Sequence, residues 1–224
     1  MPCSCCAGDS LDIFGEKSAR RELRRYLRKG LGGDDAKLIV AWAEQGGLDG
    51  ATVVEVGGGI GQLQVELLRR GAAAGTVVEV VPAYAAPAAE LARAAEVDAK
   101  STFLLADLLE TPDALQPADV VVLRRVVCCS PEGPALLAVA AGKARRTLLA
   151  SYPRDRFLTR AFVRGQNALL ALIRKRFRAY VHPPDLLERV LADRGLHRTR
   201  TTRGAVWETS QFEVGRPDGF LTSP

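Results

Sequence analysis

The sequence predicts an α/β protein built on a doubly wound, mostly parallel sheet of seven strands. Short apolar runs alternate with helical segments through the middle of the chain, a pattern typical of parallel strands that helices cover on both faces. The first run, Thr52–Val56, breaks into four glycines within five positions before a helix begins. Two final runs, near 198–202 and 206–214, favour an antiparallel hairpin at the edge of the sheet.

Two helices are expected before the first strand. The segment 16–29 places apolar residues on one side and basic residues around the rest. A second helix is expected from Asp34, which can cap its first turn, to the glycine pair that begins at Gly46. We interpret residues 1–50 as an N-terminal helical cap. Residues 51–224 then form a Rossmann-like domain, because a strand, a glycine turn and a helix open it.

The remaining elements follow in chain order. The predicted strands are 76–80, 102–105, 119–123 and 146–151, with Val126-Val127 as a continuation of the third of these. The predicted helices are 62–70, 83–95, 133–142 and 184–194. Between 152 and 180, apolar residues recur at helical spacing with arginines on the other faces. We expect this insertion, at about 153–180, to form a helical lid above the ligand end of the sheet.

Charge is distributed unevenly along the chain, although the net charge is only +5. Residues 34–142 hold seven Lys/Arg against fifteen Asp/Glu, a balance of −8, whereas residues 143–203 hold sixteen against four, a balance of +12. The basic segments could favour an anionic substrate, an acidic lipid surface or a polynucleotide, or they could simply be solvated faces. No apolar run reaches the roughly 18 residues of a membrane span.

The five cysteines are an odd number and are clustered, which does not resemble a secreted disulfide framework. We therefore expect a reducing, cytoplasmic location. Four thiolates drawn from Cys3, Cys5, Cys6, Cys128 and Cys129 could bind zinc. Neither cluster has the usual Cys-x-x-Cys spacing, so buried or incidental cysteines and no metal site are favoured.

The glycine turn does not fit the common nucleotide fingerprints. A dinucleotide site needs glycine at positions i, i+2 and i+5, but the third position is Gln62 counted from Gly57 and Gln64 counted from Gly59. No Gly-Lys-Ser/Thr follows, so a phosphate-binding P-loop is absent as well. The pattern that the turn does satisfy is acidic–apolar–Gly–x–Gly–x–Gly. Its residues are Glu55, Gly57, Gly59 and Gly61, with Gly58 as one of the variable positions.

This stretch resembles motif I of the class I S-adenosylmethionine-dependent methyltransferases, and the resemblance covers Ala51 to about Ala150. It implies S-adenosylmethionine as the cofactor. Glu79 would then accept hydrogen bonds from both ribose hydroxyls, Asp107 would accept one from the adenine amino group, and Glu55 would lie near the ligand's ammonium. Val80, Leu108 and Arg124 complete the candidate cofactor contacts.

Within that family, the chain looks most like the magnesium-protoporphyrin O-methyltransferase-like group. The shared features are Cys128-Cys129, Tyr152-Pro153-Arg154 and Tyr180-Val181-His182-Pro183-Pro184. That group tends to have a histidine before the arginine that ends the fourth strand, whereas this chain has Arg124-Arg125. The resemblance therefore implies the reaction class and not the substrate.

The expected chemistry is methyl transfer to an oxygen of a small or medium-sized organic acceptor. A carboxylate acceptor needs no base, whereas a hydroxyl needs a proton acceptor within hydrogen-bond reach. The candidate catalytic residues are His182 as a base, Arg154 as a partner for a substrate carboxylate, and Tyr152 beside it. A packing role for His182, a solvated Arg154 and a surface position for His197 are the alternatives.

Other functions compete with this one. A non-catalytic S-adenosylmethionine-binding protein remains open, and the failed fingerprint disfavours an NAD-dependent oxidoreductase. An RNA methyltransferase is disfavoured because the basic segments hold few aromatic residues for stacking bases. We therefore expect an anionic, partly apolar small-molecule acceptor and no nucleic acid, and leave peripheral membrane contact and the oligomeric state open.

Overall fold

The computed structural model describes residues 11–215 and has one sheet of seven strands. The strands are β1 Thr52–Val56, β2 Ala74–Glu79, β3 Ser101–Leu105, β4 Ala118–Arg124, β5 Ala144–Pro153, β6 Leu196–Arg203 and β7 Trp207–Val214. The helices are α1 Leu11–Phe14, α2 Glu16–Lys29, α3 Asp34–Gln45, α4 Gln62–Arg69, α5 Ala85–Ala94, α6 Gly133–Ala141, α7 Phe157–Leu172 and α8 Pro184–Ala192. No helix among these residues is both long enough and apolar enough to cross a bilayer.

The strands lie in the order β3-β2-β1-β4-β5-β7-β6. Strands β1 to β5 pair in parallel, and β7 pairs antiparallel with both β5 and β6. The predicted α/β class, with its parallel sheet and closing hairpin, is confirmed. Because β2 and β4 lie on either side of β1, the chain reverses its winding at β1, which is where such sheets bind ligands.

Successive side chains of the strands point to opposite faces of the sheet, and each face is covered by helices. Val53 packs in a cluster with α2, α3, α4 and α5, whereas its neighbour Val54 packs in a second cluster with α6, α8 and β6. This explains why the central strands are apolar at nearly every position.

The N-terminal helices α2 and α3 share the first of these clusters. Leu23 and Ile39 are almost fully buried there, together with Leu63 of α4. Burial of one such side chain contributes about 1.5–3 kcal/mol to folding. These helices are therefore packed into the main core rather than around a core of their own.

Most predicted boundaries differ from the structure by one or two residues, and two differences bear on the site. Val126-Val127 does not continue β4, because Arg125 has a φ of 56° and a single 3₁₀ turn spans Val127–Cys129. Strand β5 runs beyond its predicted end at 151, to Pro153, because antiparallel pairing with β7 extends as far as Pro153 opposite Trp207. In the predicted lid, α7 ends at Leu172 and the chain from 173 to 183 has no regular structure.

Candidate functional site

A cavity of about 270 Å³ lies at the carboxyl ends of β1, β2 and β4 and beside the segment that follows β3. Nine of the ten predicted cofactor contacts line it. They are Glu55, Gly57, Gly58, Gly59, Glu79, Val80, Asp107, Leu108 and Arg124. The tenth, Gly61, instead begins α4 in a left-handed conformation with a φ of 76°. The topology thus brings together residues from the carboxyl ends of four strands.

The glycine turn needs its glycines for both conformation and space. Gly57 has a φ of 64°, and a Cβ there would lie 2.3 Å from Cγ2 of Val126. Gly59 has a φ of 58°, and a Cβ there would lie 3.1 Å from the ring of Tyr84. Because side chains are excluded at these positions, a ligand can approach the backbone of the turn directly.

Glu55 lies buried beneath the glycine turn. Its Oε2 accepts a hydrogen bond from the backbone N–H of Gln64 at 2.9 Å, in the first turn of α4. Burial raises the pKa of Glu55 to about 8, although this hydrogen bond and the charge of Arg124 act in the opposite direction. The carboxyl group both braces the turn and borders the cavity.

Glu79 accepts three backbone hydrogen bonds at the end of β2. Oε1 accepts from the N–H groups of Val80 and Val81 at 2.8 and 3.1 Å, and Oε2 accepts from that of Gly59 at 3.0 Å. Burial raises the pKa of this carboxyl group, while the three hydrogen bonds oppose the shift. Glu79 therefore links the glycine turn to the loop after β2.

Asp107 closes the cavity on the side of β3. Its Oδ1 accepts a hydrogen bond from the N–H of Leu109 at 2.9 Å, and its carbonyl oxygen accepts from Thr111. Leu108 is buried in the second core cluster. The turn after Asp107 is thus anchored by an apolar side chain, which holds the carboxylate at the rim of the cavity.

Arg124 and Arg125 both bind Asp35 of α3. The Nε atoms of Arg124 and Arg125 lie 2.9 and 2.8 Å from Oδ2 of Asp35. Burial tends to raise the pKa of Asp35, but the hydrogen bonds and charges of the two arginines outweigh it and hold that pKa below its usual range. Arg125 also stacks on Trp207, with its guanidinium carbon 4.3 Å from the ring centroid. One carboxylate faces two guanidinium groups, so the triad has a net charge of +1.

Glu22 of α2 borders the cavity and was not predicted as a site residue. Its Oε1 accepts a hydrogen bond from Nε2 of Gln62, at the start of α4. Burial is the largest cause of its raised pKa, and the nearby Glu79 adds to the shift while Arg25 opposes it. The sequence signal was an acidic residue in the middle of the basic helix α2, but that pattern also fits an ordinary surface charge.

The remaining wall of the cavity is largely apolar. Phe14 of α1 and Phe177, beyond α7, meet edge to face with their ring centroids 5.1 Å apart, and both line the cavity. Leu136 of α6 and Val126 add to this wall. The predicted lid therefore contributes Phe177 to the site.

Comparison with known proteins identifies the fold. No protein-family model and no curated protein sequence matches the chain. Magnesium protoporphyrin IX methyltransferase from Synechocystis PCC 6803, with bound SAH, superposes with a TM-score of 0.70 at 22% identity, over 91% of this chain and 97% of that chain. The chain has the fold of the class I S-adenosylmethionine-dependent methyltransferases.

Other proteins with this methyltransferase fold have different molecules in their names. An O-methyltransferase family 2 protein from Planctomyces limnophilus, in complex with apigenin, has a TM-score of 0.67 at 19% identity, over 89% of this chain and 62% of that chain. Ribosomal protein L11 methylase from Lactobacillus delbrueckii subsp. bulgaricus has a TM-score of 0.56 at 15% identity, over 83% of this chain and 81% of that chain. The methyltransferase fold alone therefore identifies no acceptor.

Tyr152 and Arg154 do not line the cavity of this methyltransferase fold. Tyr152 is only 2% exposed and packs in the second core cluster, with its hydroxyl 3.4 Å from Oγ of Ser210. Arg154 donates to the carbonyl oxygen of Gly204 at 2.8 Å, in the turn between β6 and β7. Tyr152 thus packs in the core and Arg154 braces the hairpin, because β5 extends far enough to pair with β7 there. A substrate contact at either residue stays a prediction.

His182 lies behind the cavity wall rather than in it. Its Nε2 lies 3.1 Å from the carbonyl oxygen of Val127 and 3.0 Å from that of Ser130, so this nitrogen donates to both. A Cβ at Gly133 would lie 2.7 Å from the same nitrogen. His182 therefore braces the turn that leads into α6, and its role as a base stays a prediction.

The cysteines divide between described and undescribed residues. Cys3, Cys5 and Cys6 lie outside the described residues, so the disfavoured zinc alternative is untested and the absence of a metal site stays a prediction. The Sγ atoms of Cys128 and Cys129 lie 3.4 and 3.3 Å from the carbonyl oxygen of Arg125, and Cys129 lines the cavity. Within residues 11–215, no three His, Cys, Asp or Glu side chains are grouped so that they could hold a metal ion.

Proposed function

We propose that this chain binds S-adenosylmethionine and transfers its methyl group to an oxygen of a small or medium-sized anionic acceptor. One observation carries the proposal. The glycine turn and the carboxylates of Glu55, Glu79 and Asp107 converge on one cavity at the switch point of the sheet.

The donor and acceptor groups around the cavity suit this cofactor. Oε2 of Glu79 accepts one hydrogen bond, from Gly59, and a carboxylate oxygen has two lone pairs, so it can accept another from a ribose hydroxyl. Asp107 uses Oδ1 for Leu109, and its remaining acceptor sites can take an amino group. A Cβ on Gly57 or Gly59 would narrow the space along the turn.

The charge around the glycine turn favours a cationic ligand over a pyrophosphate. Glu22, Glu55 and Glu79 all line the cavity, and burial raises the pKa of each. Their mutual repulsion adds to this effect, since the charge of Glu22 raises the pKa of Glu55. A bound cation lowers the cost of ionising these groups, whereas a pyrophosphate would be repelled by them. This argument also disfavours NAD as the ligand.

The residues on the other side of the cavity favour an acceptor oxygen that is already ionised, as in a carboxylate. The cofactor supplies a methyl group on a sulfonium, which an in-line nucleophile displaces. The chain then has to orient that nucleophile and exclude water. Among the described residues that line the cavity there is no histidine and no lysine, and burial raises the pKa of the Tyr84 hydroxyl to about 12. A carboxylate needs no base, and the net positive charge of Asp35, Arg124 and Arg125 attracts it.

Titration calorimetry tests the cofactor. We expect S-adenosylmethionine and S-adenosylhomocysteine to bind the whole chain, with a Glu79→Gln variant weaker and a Glu90→Gln variant unchanged, because Glu90 lies outside the cavity and pairs with Arg20. Tight binding of NADH without binding of S-adenosylmethionine would overturn the proposal.

Turnover tests the acceptor. Transfer of a labelled methyl group to a panel of aromatic and aliphatic carboxylic acids and phenols should favour the carboxylates. Faster transfer to the phenols would contradict the ionised-oxygen argument. Cofactor binding without transfer to any acceptor, including RNA and protein, would favour a non-catalytic binding protein.

A further inference from the structure

Most of the exposed large apolar side chains in the described part of the chain lie on helix α7 or directly after it. Nine large apolar side chains among the described residues are exposed, and six of them lie on α7 or directly after it. These six, which we call the α7 face, are Phe157, Leu158, Phe162, Leu169, Leu172 and Ile173. Phe157 is 82% exposed and Leu172 is 79% exposed. A cluster of exposed apolar side chains is typical of a binding surface, whereas single exposed apolar residues are normal on any protein.

The α7 face follows the helix repeat and is held in position. Leu158, Phe162, Leu169 and Ile173 are spaced by four, seven and four residues, which places them on one side of the helix. Thr159 and Val163 are the buried residues of α7 and anchor a different side. Asn167 exchanges two hydrogen bonds with the backbone of Ala179, at 2.8 and 2.9 Å, which ties the following segment to the helix.

Basic residues dominate the charge around the α7 face, although Asp155, just before the helix, pairs with Arg160. From 156 to 184 the chain holds seven Lys/Arg and no Asp/Glu. Some of these cations lie close to the apolar residues in sequence, as Arg164 does within the helix and Arg174 does directly after Ile173. A partner must therefore accept an apolar face and also carry negative charge.

The length of α7 restricts how it could meet a bilayer. Its 16 residues are about 24 Å long at 1.5 Å per residue, less than the roughly 30 Å of a hydrocarbon core. Arginines also interrupt its apolar sequence. An amphipathic basic helix of this kind lies in the plane of the interface, with its apolar side at the boundary of headgroups and acyl chains.

We propose that the α7 face is a docking surface for an anionic bilayer. Phe157, Leu158 and Phe162 enter the interface, and the basic residues beside them contact lipid phosphates. A second copy of the chain is a poorer occupant, because two α7 faces would bring fourteen cations together without a carboxylate from the same segment. Phe177 lines the cavity five residues after the end of α7.

Vesicle flotation with the whole chain tests the proposal. We expect the chain to float with vesicles of phosphatidylcholine that contain about 30% phosphatidylglycerol, and to bind pure phosphatidylcholine at least about tenfold more weakly. Rising salt should release the chain from the anionic vesicles. No binding to the anionic vesicles, or equal binding to both compositions, would overturn the proposal.

A matched pair of variants locates the surface. L158E/F162E/L169E should reduce binding to the anionic vesicles at least about tenfold. The control L27E/L105E/V206E adds the same charge at the three exposed large apolar residues outside the α7 face, and it should bind nearly as well as the wild type. Circular dichroism verifies that both variants are folded, and R164Q/R174Q tests the electrostatic part separately without adding negative charge. Equal losses in the two triple variants would contradict a role specific to α7.

Two results would assign the α7 face to another occupant. A dimer in analytical ultracentrifugation that L158E/F162E/L169E converts to a monomer, without vesicle binding, would make it a contact between copies. Binding of single-stranded RNA that the same variant abolishes, again without vesicle binding, would make it a nucleic-acid surface. Either result overturns the bilayer proposal.

Discussion

The carboxyl end of the sheet and helix α7 both hold side chains in surroundings that are unfavourable for them. The two regions differ in the kind of side chain. At the sheet end, Glu55, Glu79 and Asp35 are carboxylates with 8% exposure or less, and each accepts hydrogen bonds from backbone N–H groups or arginines. On α7, Phe157 and Leu158 are apolar side chains that face water.

Each arrangement costs free energy in the isolated chain, and each indicates the ligand that would reduce the cost. A buried carboxylate is stabilised by partners, and the raised pKa of Glu55 and Glu79 favours a cation or a hydrogen-bond donor beside them. An exposed apolar side chain is stabilised when it leaves water. The first region therefore favours a small polar cofactor, and the second favours an apolar environment with negative charge.

The largest expected effect concerns pH and the buried carboxylates. The pKa of Glu55 is about 8 in the folded chain and about 4.5 when the chain unfolds, so the folded state keeps a proton that the unfolded state has lost. Each pKa unit corresponds to about 1.4 kcal/mol, so the free energy of unfolding should fall by about 4 kcal/mol between pH about 4.5 and about 8. Urea unfolding at several pH values measures this slope.

Glu55→Gln should remove most of that slope. A smaller slope of the same sign should remain, because burial raises the pKa of Glu22 and Glu79 as well. If the pH dependence of the free energy of unfolding is unchanged in the variant, Glu55 does not hold the extra proton of the folded state. The contrast between the sheet end and α7 would then lose its main support.

The second effect compares two ion pairs, one in each region. Asp35→Ala should lower the free energy of unfolding by about 2–4 kcal/mol, because it leaves Arg124 and Arg125 without the carboxylate that both bind. The estimate lies below the full cost of breaking a buried pair, since the Arg125 side chain is 37% exposed. Asp155→Ala, which removes the exposed pair with Arg160 beside α7, should leave the urea midpoint nearly unchanged. Equal effects would erase the distinction between the regions.

The third effect is on cofactor affinity. Glu79→Gln should weaken binding of S-adenosylhomocysteine by about 1–3 kcal/mol, which is about 5- to 150-fold in Kd, because a neutral amide replaces a charged acceptor. Calorimetry on the folded variant measures it, and Glu90→Gln is the control. An unchanged Kd would mean that the ribose site is misplaced.

The smallest effect is expected on α7. Leu158→Ala should change the free energy of unfolding by less than about 0.5 kcal/mol, as substitutions on an exposed surface do. Chemical unfolding measures it directly. A loss above about 2 kcal/mol, the size expected for a buried leucine, would show that the α7 face is covered in solution.

Local patterns predicted the secondary structure well where packing reinforces them. β1 and α2 have their predicted bounds, Thr52–Val56 and 16–29. The β-branched run and the amphipathic repeat favour locally the same structure that packing in the core then stabilises. Val126-Val127 failed as a strand although both residues favour strands. The positive φ of Arg125 and the contact of Val126 with the glycine turn are decided by distant residues.

The residues of the candidate site also divide into those that the sequence could predict and those that it could not. Glu55, Glu79 and Asp107 could be predicted, because parallel strands bring their carboxyl ends to one edge and each residue ends or follows such a strand. Glu22 could not, because it reaches the cavity from a helix that joins the sheet only through packing. Tyr152 and His182 were assigned to the site on their sequence position alone, and hydrogen bonds to Ser210 and to the Val127 carbonyl hold them elsewhere.

The order of strands and helices and the acidic edge therefore follow from the sequence, because hydrophobic period, turn residues and strand ends are local properties. Tertiary packing determined which residues form the other wall of the cavity. Phe14, Glu22, Arg125 and Phe177 meet there from four separate segments. Which side chains face each other across such distances depends on the contacts of the whole core, and no short stretch of sequence contains that information.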